Sequence, residues 1–324
     1  MTKPIFILSL PRSGSTLLQR LLLSSGHCAT LGEPSLLLRF LGNDEAMTRK
    51  ATYWEFLVTI SMKDMRKTWS GFDKEYRAGV RDLMMRIYSG LSGGKEWFID
   101  KTPRYALIAE EILETFPDAK IIVLWRHPLA VVASMFFFGR ERGWRYWFPQ
   151  EYAIDLYEGL HRLHTFARNH ADRICEVRYE ELVVNPEAEL RRIGAYLGWN
   201  GLEQVLEQPL ITSVGGSLGD PTGVKKFDRV SSDSLDAWEK VYSNWYRRRW
   251  ARRYFSGTRA EAMAHYSYTL PKNFIKTNPL NFFVGIKDWL LAANREERRF
   301  QHPVWLRRFL RKYRKTRGYD VAFR

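Results

Sequence analysis

The sequence predicts an α/β fold: a parallel sheet with helices on both faces, followed by a basic helical C-terminal extension. Three observations carry that prediction. Short apolar runs of strand length alternate with stretches of helical periodicity, the pattern of a parallel sheet covered on both sides. Two of those runs pass through a short loop straight into a helix, one at the N-terminus and one near residue 120. Arg12, Lys101 and Arg126 each fall just after a predicted strand, and open parallel sheets bind ligands beyond the carboxyl ends of their strands. Residues 1–270 are expected to form one domain and 271–324 the extension, with the linker-like PKNFIKTNP at their junction.

The first strand is Ile5–Leu10, an apolar run bounded by Pro4 and Pro11. The loop Arg12-Ser13-Gly14-Ser15-Thr16 follows, then Leu17, Leu18, Leu21 and Leu22 at helical spacing, with Gly26 as the stop. A glycine-containing loop that opens a helix aims free N–H groups and the positive end of the helix dipole at one point, which suits phosphate. The loop is P-loop-like, yet it lacks the lysine of GxxxxGK[ST], and its one strong charge, Arg12, precedes the glycine. Phosphate therefore fits and a nucleoside triphosphate fits poorly. Residues 45–92 read as a mostly helical insertion between the first and second strands. Glu96–Ile99 is the second strand, with Lys101 behind it in IDKTPRY, and Arg104–Phe116 reads as a helix. Ile121–Trp125 is the next strand, with Arg126 at its carboxyl end, Pro128 at a first helical position and Ser134 two turns into the helix. Residues 153–170 read as a helix with Leu156, Leu160, Leu163 and Phe166 inward, and ICEVRY as a strand ending at Tyr179 before a capped helix.

LPRSGSTLL near the N-terminus, together with the later strand-Arg…Ser block, resembles the sulfotransferases that use 3′-phosphoadenosine-5′-phosphosulfate (PAPS). The likeness is to bacterial-type members with features of the tyrosylprotein sulfotransferases, over roughly residues 4–240. It implies transfer of a sulfuryl group from PAPS to a hydroxyl acceptor, leaving 3′,5′-bisphosphoadenosine, with no metal. Carried over, Arg12, Ser13, Gly14, Ser15 and Thr16 hold the 5′-phosphosulfate end, Arg126 and Ser134 the 3′-phosphate, and Tyr179 lies near the adenosine. The block SVGGSLGDPTGVKKFDRV resembles the late loop that folds over the cofactor; there Ser217 is assigned to the 5′-phosphate region and Lys225 or Lys226 to the 3′-phosphate. Its other reading is a glycine-rich surface loop. Lys101 matches a family lysine that approaches the bridging oxygen.

Sulfuryl transfer needs a base for the acceptor hydroxyl and cations for the charge that develops on the sulfonate and the leaving phosphate. Arg12, the loop amides and Lys101 meet the second need. Cytosolic relatives carry the base in a KTH motif, but Pro103 stands where that histidine would be. Glu33, in CATLGEPSLLLRF, matches a glutamate proposed as the base in the tyrosylprotein enzymes; the alternative is a structural carboxylate capping a helix at 35–40. His27 and His127 are the reserve candidates, and Arg104 is either a ligand contact or a surface charge at a helix start. His161, His164 and His170 share a helix without metal or triad spacing.

At 324 residues, 45% apolar and 15% aromatic, the chain can bury a full core. No run of 18 uncharged apolar residues is present, and the N-terminus reads as a core strand rather than a signal peptide. Cys28 and Cys175 are too few for a disulfide framework, so a cytoplasmic location is expected. Net charge is +15, and residues 295–324 hold eleven Lys/Arg against three Asp/Glu; WYRRRWARRY at 245–254 adds five arginines. Trp305, Phe309 and Tyr313 in the tail lie near one face among arginines, which reads either as a helix on an anionic membrane or as a helix docked on the body. No nucleic-acid reading unit is present. The alternative function is a small-molecule P-loop kinase, with Asp100 offered as its magnesium carboxylate. The acceptor stays open among sugar, lipid, phenol and peptide tyrosine, with the aromatic run Trp144–Phe148 offered as its walls.

Overall fold

A central strand buried on both faces needs an unbroken apolar run, and Pro4 to Leu8 supplies one. The computed structural model describes residues 2–42, 53–141, 147, 149–211, 214–215, 229–232, 235–256, 258–270 and 279–291. Among these, five parallel strands form one sheet: β1 Lys3–Ser9, β2 Cys28–Thr30, β3 Trp97–Lys101, β4 Lys120–Trp125 and β5 Ile174–Arg178. Their spatial order is β2-β3-β1-β4-β5, with Ile7 level with Lys101 and Ser9 level with Leu124. The chain leaves β1 for one edge and then crosses back past it to β4. The carboxyl ends of β1 and β4 therefore flank a topological switch point, where open sheets bind ligands.

The helices are α1 Ser15–Ser24, α2 Leu36–Leu41, α3 Tyr53–Thr68, α4 Phe72–Leu91, α5 Ala109–Thr115, α6 Pro128–Glu141, α7 Leu160–Asn169, α8 Tyr179–Val184, α9 Pro186–Leu197, α10 Trp245–Tyr254, α11 Thr258–His265 and α12 Pro279–Leu291. They cover both faces as the alternation requires. Ile5, Ile7, Ile122 and Val177 pack with Leu18 and Leu21 of α1 and with Leu190 and Ile193 of α9. On the other face Phe6, Leu8, Ile121 and Val123 pack with Met84 and Tyr88 of α4 and with Leu160, Leu163 and Phe166 of α7.

Several expectations need correction. Cys28–Thr30 is an edge strand of three residues, too short to leave an apolar run, so α3 and α4 lie between the second and third strands. β3 extends through Lys101, which is its last residue rather than the one after it. The expected helix over 104–116 is a 3₁₀ turn at Pro103–Leu107 followed by α5, broken at Ile108, whose φ of −133° is not helical. The turn brings Tyr105 inward, where its hydroxyl donates to the Asp100 carboxylate. Residues 154–159 form a π turn ahead of α7, and Leu156, Leu160, Leu163 and Phe166 are buried as expected. β5 ends at Arg178, so Tyr179 opens α8 instead of closing the strand.

Residues 237–268 close over the ends of β4 and α6. Tyr266 stacks on Trp125 with ring centres 3.9 Å apart, Trp238 stacks on His127, and Tyr242 donates from its hydroxyl to the Leu129 carbonyl. WYRRRWARRY is only partly a solvated basic face: Tyr246, Arg247, Trp250 and Tyr254 are buried. Trp147, expected among the acceptor walls, is fully buried between Phe136, Tyr242 and Trp250, and the rest of that aromatic run lies outside the described residues. So does the tail with Trp305, Phe309 and Tyr313. None of the described helices is long and apolar enough to cross a membrane. Cys28 and Cys175 are both buried and unbridged, and burial pushes the Cys28 thiol up to about 12.

Asp100 is the most deeply placed carboxylate near the sheet ends. It is fully buried and accepts from the hydroxyls of Tyr88 (2.7 Å), Tyr105 (3.1 Å) and Thr102 (3.5 Å). Desolvation raises its pKa from 3.8 to about 6 despite those donors and the nearby Lys101. A carboxyl that binds its proton more tightly when folded favours folding at low pH, and that contribution fades as pH climbs from about 4 to about 6. Relative to Asp100→Asn, wild-type stability is expected to fall by up to ~3 kcal/mol across that window, on the scale of 1.36 kcal/mol per pKa unit. Urea melts of both proteins at pH 4, 5, 6 and 7 test this; a difference independent of pH would show that Asp100 is ionised throughout.

Candidate active site

The loop after β1 makes a turn that ordinary residues resist. Arg12 has φ +68° and Gly14 has φ +91°, both left-handed. Gly14 is the N-cap of α1, and its carbonyl accepts from the amides of Leu17 and Leu18. A Cβ there would lie 2.4 Å from Cδ2 of Tyr179, so the glycine is required by close approach as well as by φ. Ser13 and Ser15 are buried beside it, and the first turn of α1 presents amides that have no intrahelical acceptor.

The second block folds back onto this loop. Arg126 Nη1 donates to the Arg12 carbonyl (3.0 Å), and its guanidinium lies 4.2 Å above the Tyr179 ring. Arg12 Nε donates to Ser134 Oγ (3.3 Å), and its own guanidinium sits over Phe138. Arg12, Gly14, Arg126, Ser134 and Tyr179, separated by up to 167 positions, thus meet at one place. Arg126 Nε is buried without a hydrogen-bond partner. Desolvation, joined by repulsion from Arg12, lowers the Arg126 pKa below the ordinary guanidinium value, with Tyr179 and Glu180 opposing. Two cations gathered beside the start of a helix make a place that suits an anion.

Lys101 and Glu33 form the neighbouring feature. Lys101 Nζ lies 2.8 Å from Glu33 Oε1; the lysine side chain is fully buried and the glutamate side chain 25% exposed. One carboxylate oxygen of this partly exposed side chain is thus tethered to the buried ammonium. Three groups fix this segment. Ser35, with φ +56°, donates its amide to Thr102 Oγ1, and the Leu37 amide donates to the Tyr105 hydroxyl. Gln19 of α1, itself buried, donates through Nε2 to Thr30 Oγ1 (2.7 Å) and to the Gly32 carbonyl (3.2 Å). The helix that follows the Gly14 turn therefore also holds the segment that carries Glu33. Glu33 does not cap the short helix: the N-cap of α2 is Ser35, and no side chain caps it.

The reserve bases fare poorly. His127 Nδ1 accepts from the Leu129 amide, which requires Nε2 to carry the proton it shares with the Thr269 carbonyl (3.0 Å). Burial lowers its pKa, so it is a neutral structural ring between Trp238, Phe255 and Tyr268. His27 packs on Trp199. His170 pairs with Glu110 and His164 packs on His265 and Tyr266. Arg104 forms a two-nitrogen pair with Asp155, a buried carboxylate in the π turn that the sequence reading missed. Asp100, offered as a kinase magnesium ligand, is sealed in by Tyr88, Tyr105 and Thr102 and cannot reach a cation at the loop.

Ser217, Lys225 and Lys226 lie outside the described residues. The approach to their segment is held by Arg20, whose Nε donates to the Ile211 carbonyl (2.7 Å), and by the Gly32 amide, which donates to Gly215. Gln19 and Arg20 carry no signal in the sequence, because nothing in a local pattern marks which polar residue of a helix will be buried.

A family profile described as "Sulfotransferase family" matches residues 4–204, a span that runs from β1 through α9. The chain belongs to the sulfotransferase family. It is 27% identical over 270 residues to "Nodulation protein NoeE" of Sinorhizobium fredii, covering 72% of this chain and 59% of that protein. It is 25% identical over 246 residues to a Caenorhabditis briggsae protein provisionally named as a protein-tyrosine sulfotransferase, covering 74% and 81% of the two. The "Sulfotransferase Domain from the Curacin Biosynthetic Pathway" shares the fold, with a TM-score of 0.55, 22% identity, and coverage of 84% of this chain and 99% of that one. The kinase alternative falls away with the family assignment and the burial of Asp100.

The Gly14 turn yields a direct test. Gly14→Ala combines left-handed strain with a Cβ driven into Tyr179, and is expected to destabilise the sulfotransferase by about 1–3 kcal/mol in urea denaturation. A loss under about 0.5 kcal/mol would mean that Tyr179 moves aside freely and does not brace the loop.

Proposed function

We propose that this sulfotransferase takes its sulfuryl group from PAPS, releases 3′,5′-bisphosphoadenosine, and delivers the group to a hydroxyl acceptor with Glu33 as base. The observation that carries the reading is the meeting of Arg12 and Arg126 at the Gly14 turn, where Arg126 donates to the Arg12 carbonyl and Arg12 to Ser134. The unsatisfied Arg126 Nε and the glycine cradle suit a phosphorylated ligand. PAPS would supply a sulfuryl group already activated on a phosphate leaving group. The residues assigned to hold it are Arg12, Ser13, Gly14, Ser15 and Thr16 at the 5′ end, Arg126 and Ser134 at the 3′-phosphate, and Tyr179 beside the adenosine. Ser217, Lys225 and Lys226 complete the set from the late loop.

The chain's own part in the chemistry follows from its charges. Lys101, dehydrated at the end of β3, and Arg12 stabilise negative charge that grows on the leaving oxygen and the moving sulfonate; a cation in a dry site acts more strongly than one in water. Glu33, held by Lys101 through Oε1, takes the acceptor's proton on its carboxylate. The acceptor's class, whether sugar, lipid, phenol or peptide tyrosine, is to be read from a screen with radiolabelled PAPS.

Calorimetry with 3′,5′-bisphosphoadenosine tests the donor. Arg126→Ala is expected to weaken binding by about 2–3 kcal/mol, the scale of a charge-assisted hydrogen bond left unmade. ADP and AMP are expected to bind far more weakly than the bisphosphate; a preference for ATP with magnesium would sink the PAPS reading.

Glu33→Gln preserves an oxygen for Lys101 while removing the proton acceptor. Turnover is expected to fall on the order of 10²-fold or more, with bisphosphoadenosine affinity nearly unchanged. Lys101→Ala is expected to slow turnover as well, through lost charge stabilisation. Near-normal turnover of Glu33→Gln on a verified acceptor would reduce Glu33 to a structural partner of Lys101.

A further inference from the structure

A helix on the surface of a globular domain normally turns its apolar stripe inward and its polar residues out. α12 does the reverse. Its inward edge is Gly285 and Asp288. Gly285 lies so close to the Trp245 indole that a Cβ would stand 2.4 Å from Nε1. Asp288, 3% exposed, accepts from Arg247 Nε (2.7 Å) and Asn244 Nδ2 (2.9 Å). Its outward face carries Phe282 (56% exposed), Phe283 (69%), Val284 (41%) and Trp289 (39%). The buried pair sets the rotation of the helix. Rolling the aromatic residues inward would pull Asp288 from Arg247 and leave charges buried without partners.

The surroundings say what the face meets. Lys287 stands exposed within it, and α10, on which α12 packs, exposes Arg249, Arg252 and Arg253. The chain that continues from α12 carries eleven Lys/Arg against three Asp/Glu over residues 295–324, interleaved with Phe300, Trp305 and Phe309. A second copy of this chain, at net +15, would bring like charges together around the same aromatic residues. An anionic bilayer answers both features: the acyl boundary receives aromatic rings and the headgroups receive the arginines.

We propose that the outward face of α12 is a lipid-contacting surface that seats the enzyme on anionic membranes, with Phe282, Phe283 and Trp289 entering the interface. The surface is independent of the donor site and of the PAPS reading.

Co-sedimentation of the full chain with phosphatidylcholine vesicles, with and without phosphatidylglycerol, tests it. Binding is expected with the anionic vesicles, weakening as salt rises. F282S/F283S, at two exposed positions, is expected to unfold at the wild-type temperature and to lose at least about tenfold in partitioning. Met65→Ser, at a comparably exposed apolar site on α3, is expected to leave partitioning unchanged. Equal partitioning of wild type and F282S/F283S would assign membrane contact to the basic tail alone and overturn the proposal. So would equal binding to neutral vesicles, or a dimer without vesicle binding that F282S/F283S dissociates.

Discussion

The contact on which the site depends is the approach of Tyr179 to Gly14. It brings the start of α8 against the turn that opens α1, and it gives Arg126 an aromatic floor from which to reach the Arg12 carbonyl. Only a residue without a Cβ, held at φ +91°, permits that distance. Because the two elements follow strands on opposite sides of the switch point, one close contact ties the β1 loop to the β4 and β5 ends. The two arginines that meet there are held in part by backbone and ring contacts.

A second network lies on the other side of β1. Asp100 collects the hydroxyls of Tyr88, Tyr105 and Thr102; Thr102 and Tyr105 in turn take the amides of Ser35 and Leu37, two and four residues from Glu33. From the other direction Gln19 grips the strand that leads to Glu33. The Lys101–Glu33 pair is thus braced from the sheet and from α1. Bracing matters because proton transfer and charge stabilisation both fall steeply with misplacement. The same bracing explains why an elevated Asp100 pKa is tolerated: three donors offset part of its desolvation, and the hydroxyls they fix locate the carboxylate assigned as the base.

The two halves also divide the chain's charge. The positive charge near the sheet ends is sparse, directed and partly dehydrated, as in Arg12, Lys101 and Arg126. Toward the C-terminus, Arg249, Arg252 and Arg253 of α10 and Lys287 are exposed and accompany the outward aromatic face of α12. The first arrangement suits a small anion bound in one pose, the second an extended anionic surface.

Local pattern determined much of this protein. The two-sided parallel sheet, the tight turn between β1 and α1, and the inward stripe from Leu156 to Phe166 were all legible, since burial on both faces and helix periodicity write themselves into consecutive residues. A strand of three residues was not legible, because Cys28–Thr30 owes its pairing to β3 rather than to its own composition. Nor was the break at Ile108, which depends on where the Tyr105 hydroxyl finds Asp100. The sequence placed Arg12, Ser134, Arg126 and Tyr179 on separate segments; only the crossing of the chain from one side of β1 to the other brought them together. The partnerships of Lys101 with Glu33, of Gln19 with the Glu33 strand, and of Asp288 with Arg247 were likewise decided in three dimensions. Each joins residues at least 11 positions apart, and no short-range periodicity encodes a contact of that range.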